Sequence, residues 1–174
     1  ADAAGIDGEA SVYHAGFLIG PRINAGGRVG RSDLGAHLLT TDDPAKAARI
    51  AAELDALNAE RRTIEAAVQD EALAQLERQG AGRAVLVASG EGWHPGVVGI
   101  VAARLKEATG LPAVVLALEG GIATGSARSV AGVDIGAAVA RLVAEGLALR
   151  GGGHAMAAGL SVAAGSLAPA MARL

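Results

Sequence analysis

The stretch "TGSARS", residues 124–129, puts a hydroxyl and a guanidinium side by side if it is extended, because alternate side chains of a strand share a face. Thr124, Ser126 and Arg128 then point one way, and Ala123, Gly125, Ala127 and Ser129 the other. Such a pair is a compact anion grip; an exposed edge with a solvated arginine is the plainer reading. A second group is "GGGH", residues 151–154. In a tight turn the N–H groups of Gly152 and Gly153 form a concave nest for an anion. His154 adds a hydrogen bond, or an acid–base group near neutral pH. The alternative is a flexible turn before the last strand. A third group is "GWHPGVVGIVAARL". Gly96 and Gly99 lie near a helix start, where close packing is possible and anions are favoured. Trp93 can stack on a base or fill the core, and His94 supports the loop rather than reacting. A fourth is "GPRINAGGR", where Arg22, Asn24 and Arg28 sit in a glycine-rich loop, as phosphate contacts or as surface residues of a structural turn.

What is missing narrows the chemistry. There is no cysteine, so thiolate sites and disulfides are excluded. No Asp/His cluster has metal-ligand spacing. There is no Ser-His-Asp signature, no Walker loop and no dinucleotide fingerprint. The chain is equipped to hold phosphates and poorly equipped to hydrolyse them.

Composition agrees with a globular protein lacking a broad basic surface. The 174 residues carry a net charge of −3, which argues against coating nucleic acid. Charge is uneven: residues 41–80 hold five basic and nine acidic groups, against seven and five in residues 81–174. Arginine outnumbers lysine thirteen to two, which suits bidentate phosphate contacts and equally reflects biased codon usage. Tyr13, Phe17 and Trp93 are the whole aromatic complement, so alanine, valine and leucine must form the core. No stretch approaches the roughly 20 apolar residues of a membrane span, and no signal peptide opens the chain; a cytoplasmic protein is the expectation.

Elements must position these groups. Residues 1–31 read as loop, and Ser32 as the cap of a short helix to about Leu39. Asp43 and Pro44 then open a long helix running to Gln79, stopped by Gly80-Ala81-Gly82. Ile50, Leu54, Leu57, Ile64 and Val68 form a stripe on it, interrupted by Arg61. That stripe fits a coiled-coil seam or a core helix, and the length fits a rigid strut between domains. Beyond Gly82, strands are expected at 83–88, 112–118, 122–130 and 159–164. Helices are expected at 94–110 and after Asp134, with a short one at the end. Strand, helix, strand, strand, helix, strand implies an α/β fold with a mixed sheet.

The four segments, in this order, resemble the RecJ single-stranded-DNA exonucleases of the DHH phosphoesterase superfamily. "GPRINAGGRVG" is similar to the segment closing their catalytic DHH domain, and the acidic helix to the linker that follows. "EGWHPGVVGIVAARL", "GSARS" and "GGGHAMAAG" resemble successive motifs of the DHH-associated domain. The resemblance runs from about Tyr13 to Val162 and departs at Gly26, where the family usually has alanine; glycine there should loosen the loop slightly.

The resemblance implies three parts: residues 1–40 as the end of the DHH domain, 41–80 as a connecting helix, and 81–174 as a mixed-sheet α/β DHH-associated domain that binds substrate. It implies a fragment of a 5′-to-3′ exonuclease, inactive alone. Two metals, Mn2+ or Mg2+, would be held by upstream aspartates and histidines, and none by this chain. His154 would act near the scissile phosphate with Gly152 and Gly153. Ser126 and Arg128 would hold the 5′-terminal phosphate, with Ser129 in the wider phosphate-binding set. Arg22, Asn24 and Arg28 would line the junction, and Trp93 and His94 would belong to the substrate surface. The implied partners are single-stranded DNA with a 5′ end and other repair or replication proteins, with no membrane. Two alternatives stand beside this: a DHH phosphodiesterase of short RNA or cyclic dinucleotides, and a noncatalytic RecJ-like scaffold.

Overall fold

The structure, a computed structural model, describes residues 2–80 and 82–174. The chain divides into two compact units between Ile64 and Glu65, inside one long helix.

In the first unit, residues expected as loop are helical. His14–Ile19 form a widened turn that runs into α1 (Gly20–Val29). Pro21 sits at the helix start, where its missing N–H costs nothing. Packing overrides the low helix propensity of the glycines. Ala25 and Gly26 are buried, and a Cβ on Gly26 would lie 2.7 Å from the Arg31 carbonyl oxygen and 3.2 Å from Leu54 Cδ2. Gly26 is therefore a tight packing point, not a loosened loop. Next comes α2 (Leu34–Thr40), whose N-cap residue is Asp33 rather than Ser32. The Asp33 carboxylate is engaged by Arg31, whose hydrogen bond lowers the carboxyl pKa from its ordinary value.

The long helix α3 spans Pro44–Gln79, 36 residues, and so is about 54 Å long. Its start is as expected: Asp43 Oδ1 accepts from Ala45 N at 2.9 Å and from Lys46 N at 3.3 Å. In the first unit Ile50 and Leu54 pack with Leu34. In the second, Val68 and Ala72 are buried. The Arg61 that interrupts the stripe donates to the amide oxygen of the buried Asn58. The expected stop includes Ala81, which lies outside the described residues.

The second unit is a five-stranded mixed sheet, β1 (Leu86–Glu91), β2 (Ala113–Glu119), β3 (Ile122–Arg128), β4 (Arg150–His154) and β5 (Ala157–Ala163), in spatial order β1-β2-β3-β5-β4. β1 and β2 are parallel, joined by α4 (Pro95–Thr109), and the other pairs are antiparallel. α4 ends at Gly110 in the left-handed conformation, φ 70°, as a helix C-terminus favours. α5 (Ile135–Ala144) opens with Asp134 accepting from Ala137 N, and α6 (Leu167–Arg173) closes the chain. Ile135, Val139 and Leu142 of α5 bury one sheet face with Val114, Leu116, Leu160 and Val162. Among the described residues, no helix is long and apolar enough to cross a membrane.

Two strand expectations need correction. β1 starts at Leu86 and runs through Ser89 and Gly90; the side-chain amide of Gln75 accepts from Ser89 N and donates to Ser89 O, completing that free edge. More consequentially, the triple glycine is not a turn. It is β4, an extended strand, and none of Gly151, Gly152 and Gly153 has positive φ. An anion nest of alternating backbone handedness is therefore not what "GGGH" builds.

Candidate functional site

β3 is the middle strand of the sheet, so "TGSAR" is not an exposed edge. Its alternation is as read from the sequence: Ala123, Gly125 and Ala127 are buried, while Thr124, Ser126 and Arg128 lie half-buried on the other face. The ladder carries that face across three strands in three rows. Thr124 pairs with Ser161, and Ser161 with Arg150. Ser126 pairs with Gly159, and Gly159 with Gly152. Arg128 pairs with Ala157, and Ala157 with His154. Of these nine residues three are basic or potentially basic and none is acidic. The middle row is a floor of bare backbone ending at the Ser126 hydroxyl.

The glycines of β4 divide by what they face. Gly151 looks toward α5, where a Cβ would lie 2.5 Å from Val139 Cγ1. A Cβ on Gly153 would collide with the Ala157 carbonyl oxygen. Packing demands both. Gly152 is different: an added Cβ there meets nothing within 4 Å.

α4 borders the same face. Its Gly99 comes so near β3 that a Cβ would lie 3.0 Å from Arg128 Nη2 and 3.1 Å from Ser126 Oγ. Gly99 thus lets the helix backbone close over the hydroxyl–guanidinium pair. Arg128 Nη1 also donates to its neighbour's carbonyl, Ala127 O, at 2.9 Å. His154 is exposed, and its Nδ1 accepts from Met156 N at 3.3 Å. That bond leaves Nε2 to carry the proton of the neutral ring and to donate. His94 is held likewise, its Nδ1 accepting from Gly96 N at 3.0 Å as the cap of α4.

Other expected site residues are placed elsewhere. Ser129 is 1% exposed, and its hydroxyl donates to the Val133 carbonyl at 2.8 Å, so it closes the loop before α5 and faces no anion. Trp93 is buried: its indole N–H donates to Glu71 Oε2 at 2.7 Å, and its ring covers Gly90. It fills the core and presents no stacking face. In the first unit Arg22 is tied to Asp55 Oδ1 at 2.7 Å and to Leu18 O at 2.8 Å. Asn24 and Arg28, four residues apart, are exposed on one face of α1 rather than in a loop.

The family of DHHA1 domains matches residues 82–174. The chain belongs to the DHHA1 domain family. It is 40% identical over 169 residues to the single-stranded-DNA-specific exonuclease RecJ of Bacillus subtilis, covering 96% of this chain and 21% of that protein. With RecJ of Escherichia coli the identity is 43% over 154 residues, 84% of this chain and 27% of the relative. Crystal structures of RecJ from Thermus thermophilus, in complex with Mg2+ and with Mn2+, superpose with a TM-score of 0.82 at 38% identity. They cover 99% of this chain, which spans 26% and 25% of those chains. The chain thus spans about a quarter of the length of these relatives. In this DHHA1 domain, sequence reasoning passed over Arg150 and Ser161. Once Arg150 to His154 is known to be a strand, the period of two puts Arg150, Gly152 and His154 on one face.

Proposed function

We propose that this chain is the substrate-binding part of a RecJ-like 5′-to-3′ single-stranded-DNA exonuclease, and that the β3–β5–β4 face is where the DNA backbone lies. The observation that carries the reading is the row Gly152–Gly159–Ser126, two bare glycines ending at a hydroxyl and flanked by Arg128 and His154. A sugar–phosphate chain can approach such a floor closely. Ser126 and Arg128 grip the 5′ phosphate by charge-assisted hydrogen bonds. His154, donating through Nε2, contacts the phosphate nearer the reacting bond, where charge builds in the transition state. The chain's identities to RecJ favour this reading over cyclic-dinucleotide hydrolysis or a noncatalytic scaffold.

Among the described residues no group of three or more His, Cys, Asp or Glu could hold a metal ion. The residues present therefore do not fit a two-metal centre, and this chain's own part is binding and positioning. We place the Mn2+ or Mg2+ of the complete enzyme on a separate domain, with the reaction in the cytoplasm and other repair or replication proteins as further partners.

The test is kinetic, in a protein joining this chain to such a domain. Arg128→Ala should weaken binding of 5′-phosphorylated DNA by about ten- to a hundredfold, the worth of a lost charge-assisted bond, and 5′-hydroxyl DNA far less. His154→Ala should lower turnover on both substrates and keep the 5′-phosphate preference. If Arg128→Ala retains the full preference, the assignment of the 5′ phosphate is wrong.

A further inference from the structure

The first row of the face, Thr124–Ser161–Arg150, is not used by the reading above. Its side chains form a connected hydrogen-bonded set. Arg150 Nε donates to Ser161 Oγ at 3.2 Å, and Ser161 Oγ and Thr124 Oγ1 share a bond at 3.1 Å. Ser161 is 4% exposed beneath the arginine. Beside them is an open hollow of about 370 Å³, floored by the backbone of Gly151 and Gly159. Arg22, Arg31, Arg104 and Arg173 each pair with a carboxylate. Arg150 pairs with none among the described residues, and its side chain's only hydrogen bond there is the one from Nε. Nη1 and Nη2 are left available, the pair of donors that meets a phosphate in a bidentate way. The Ser161 hydroxyl, itself bonded to Thr124, holds Nε and fixes the guanidinium in advance, which lowers the ordering cost of binding.

Position supplies the rest. Row one lies two residues along each strand from row two and four from row three, so successive rows are about 7 Å apart. That is close to the step between neighbouring phosphates of an extended nucleic-acid strand. The glycine floor lies between Arg150 on one side and Arg128 with His154 on the other.

We propose that Arg150, oriented by Ser161 and Thr124, is a second phosphate subsite, taking the phosphodiester next to the one held at Ser126 and Arg128. It rests on the reading of this face as the DNA-backbone surface. It makes the chain a reader of substrate length: a mononucleotide fills one subsite, and an oligonucleotide fills both.

The chain is titrated, with binding followed by NMR, using 5′-phosphorylated thymidine oligonucleotides of one and four residues. Arg150→Met should cut affinity for the tetranucleotide about tenfold more than for the mononucleotide, and reduce the salt slope of tetranucleotide binding by about one. Arg150→Lys should restore the salt slope and only part of the affinity, since a lysine is not bidentate. Ser161→Ala, which leaves the guanidinium in place but untethered, should give a smaller loss in the same direction. Equal losses for both lengths, or no loss, overturn the second subsite. If Arg128→Ala weakens the mononucleotide while Arg150→Met changes nothing, the second subsite alone falls. If wild type binds neither ligand, the parent reading falls and the subsite falls with it.

Discussion

Gly152 lies directly opposite Gly159 in the β4–β5 ladder, and an added Cβ at Gly152 would touch nothing. Folding therefore does not require glycine at 152, whereas it does at Gly151 and Gly153. Gly152→Ala should leave thermal stability unchanged or slightly raised, by about 0.4–1 kcal/mol, because alanine has less freedom to lose. The same methyl should lift a bound backbone off the floor and weaken oligonucleotide binding. Thermal melts alongside titrations check both halves. A destabilised variant, or a stable one with unchanged binding, contradicts the assignment.

Gly99 gives a second handle on the same pair of residues from outside the sheet. Gly99→Val would drive its side chain into Arg128 Nη2 and Ser126 Oγ, each only 3.0–3.1 Å from a Cβ. The flexible end of the arginine is what yields, so stability should fall by about 1–3 kcal/mol. Binding of a 5′-phosphorylated oligonucleotide should drop to that of the 5′-hydroxyl form. Matched titrations with the two oligonucleotides read this out.

Trp93 reports on its own role, since it is the one tryptophan in the chain. Buried and bonded to Glu71, it should emit at short wavelength and be unaffected by saturating single-stranded DNA. Quenching on DNA addition would restore it to the substrate surface. Gly90→Ala should disrupt it directly, because a Cβ there would collide with the indole ring.

How much of this was legible in the sequence depended on whether local chemistry and packing agreed. The start of α3 was legible because Asp43 and Pro44 each favour a helix start, and the alternation of β3 because every second residue is small and apolar. β4 was not. Arg150 to His154 has no β-branched or aromatic residue apart from the imidazole, and three glycines read as a turn; the strand exists because β5 pairs with it and α5 packs on Gly151. α1 failed for the converse reason: its glycines read as loop, yet Gly26 lets the helix sit against Leu34 and Leu54. Ser129 and Trp93 carry chemistry by type, and burial takes them out of reach. Of the candidate site, Ser126 and Arg128 share a face by the local alternation of β3, while strand register brings His154 into their row set, a relation no local motif encodes.

With no cluster of metal-binding side chains among the described residues, the chain by itself should release no nucleotides from single-stranded DNA in the presence of Mn2+. An assay of acid-soluble product with purified protein checks this. Metal-dependent release that co-purifies with the chain and survives further purification would show chemistry that these side chains do not explain.

The most direct test of the central claim is a map of where DNA touches the domain. Backbone amide resonances of the chain are followed while a 5′-phosphorylated oligothymidine is added. The largest shifts are expected on Ser126, Arg128, Gly152, His154 and Gly159, and they should shrink as salt is raised. Shifts confined to other surfaces, with these five unmoved at saturation, would contradict it.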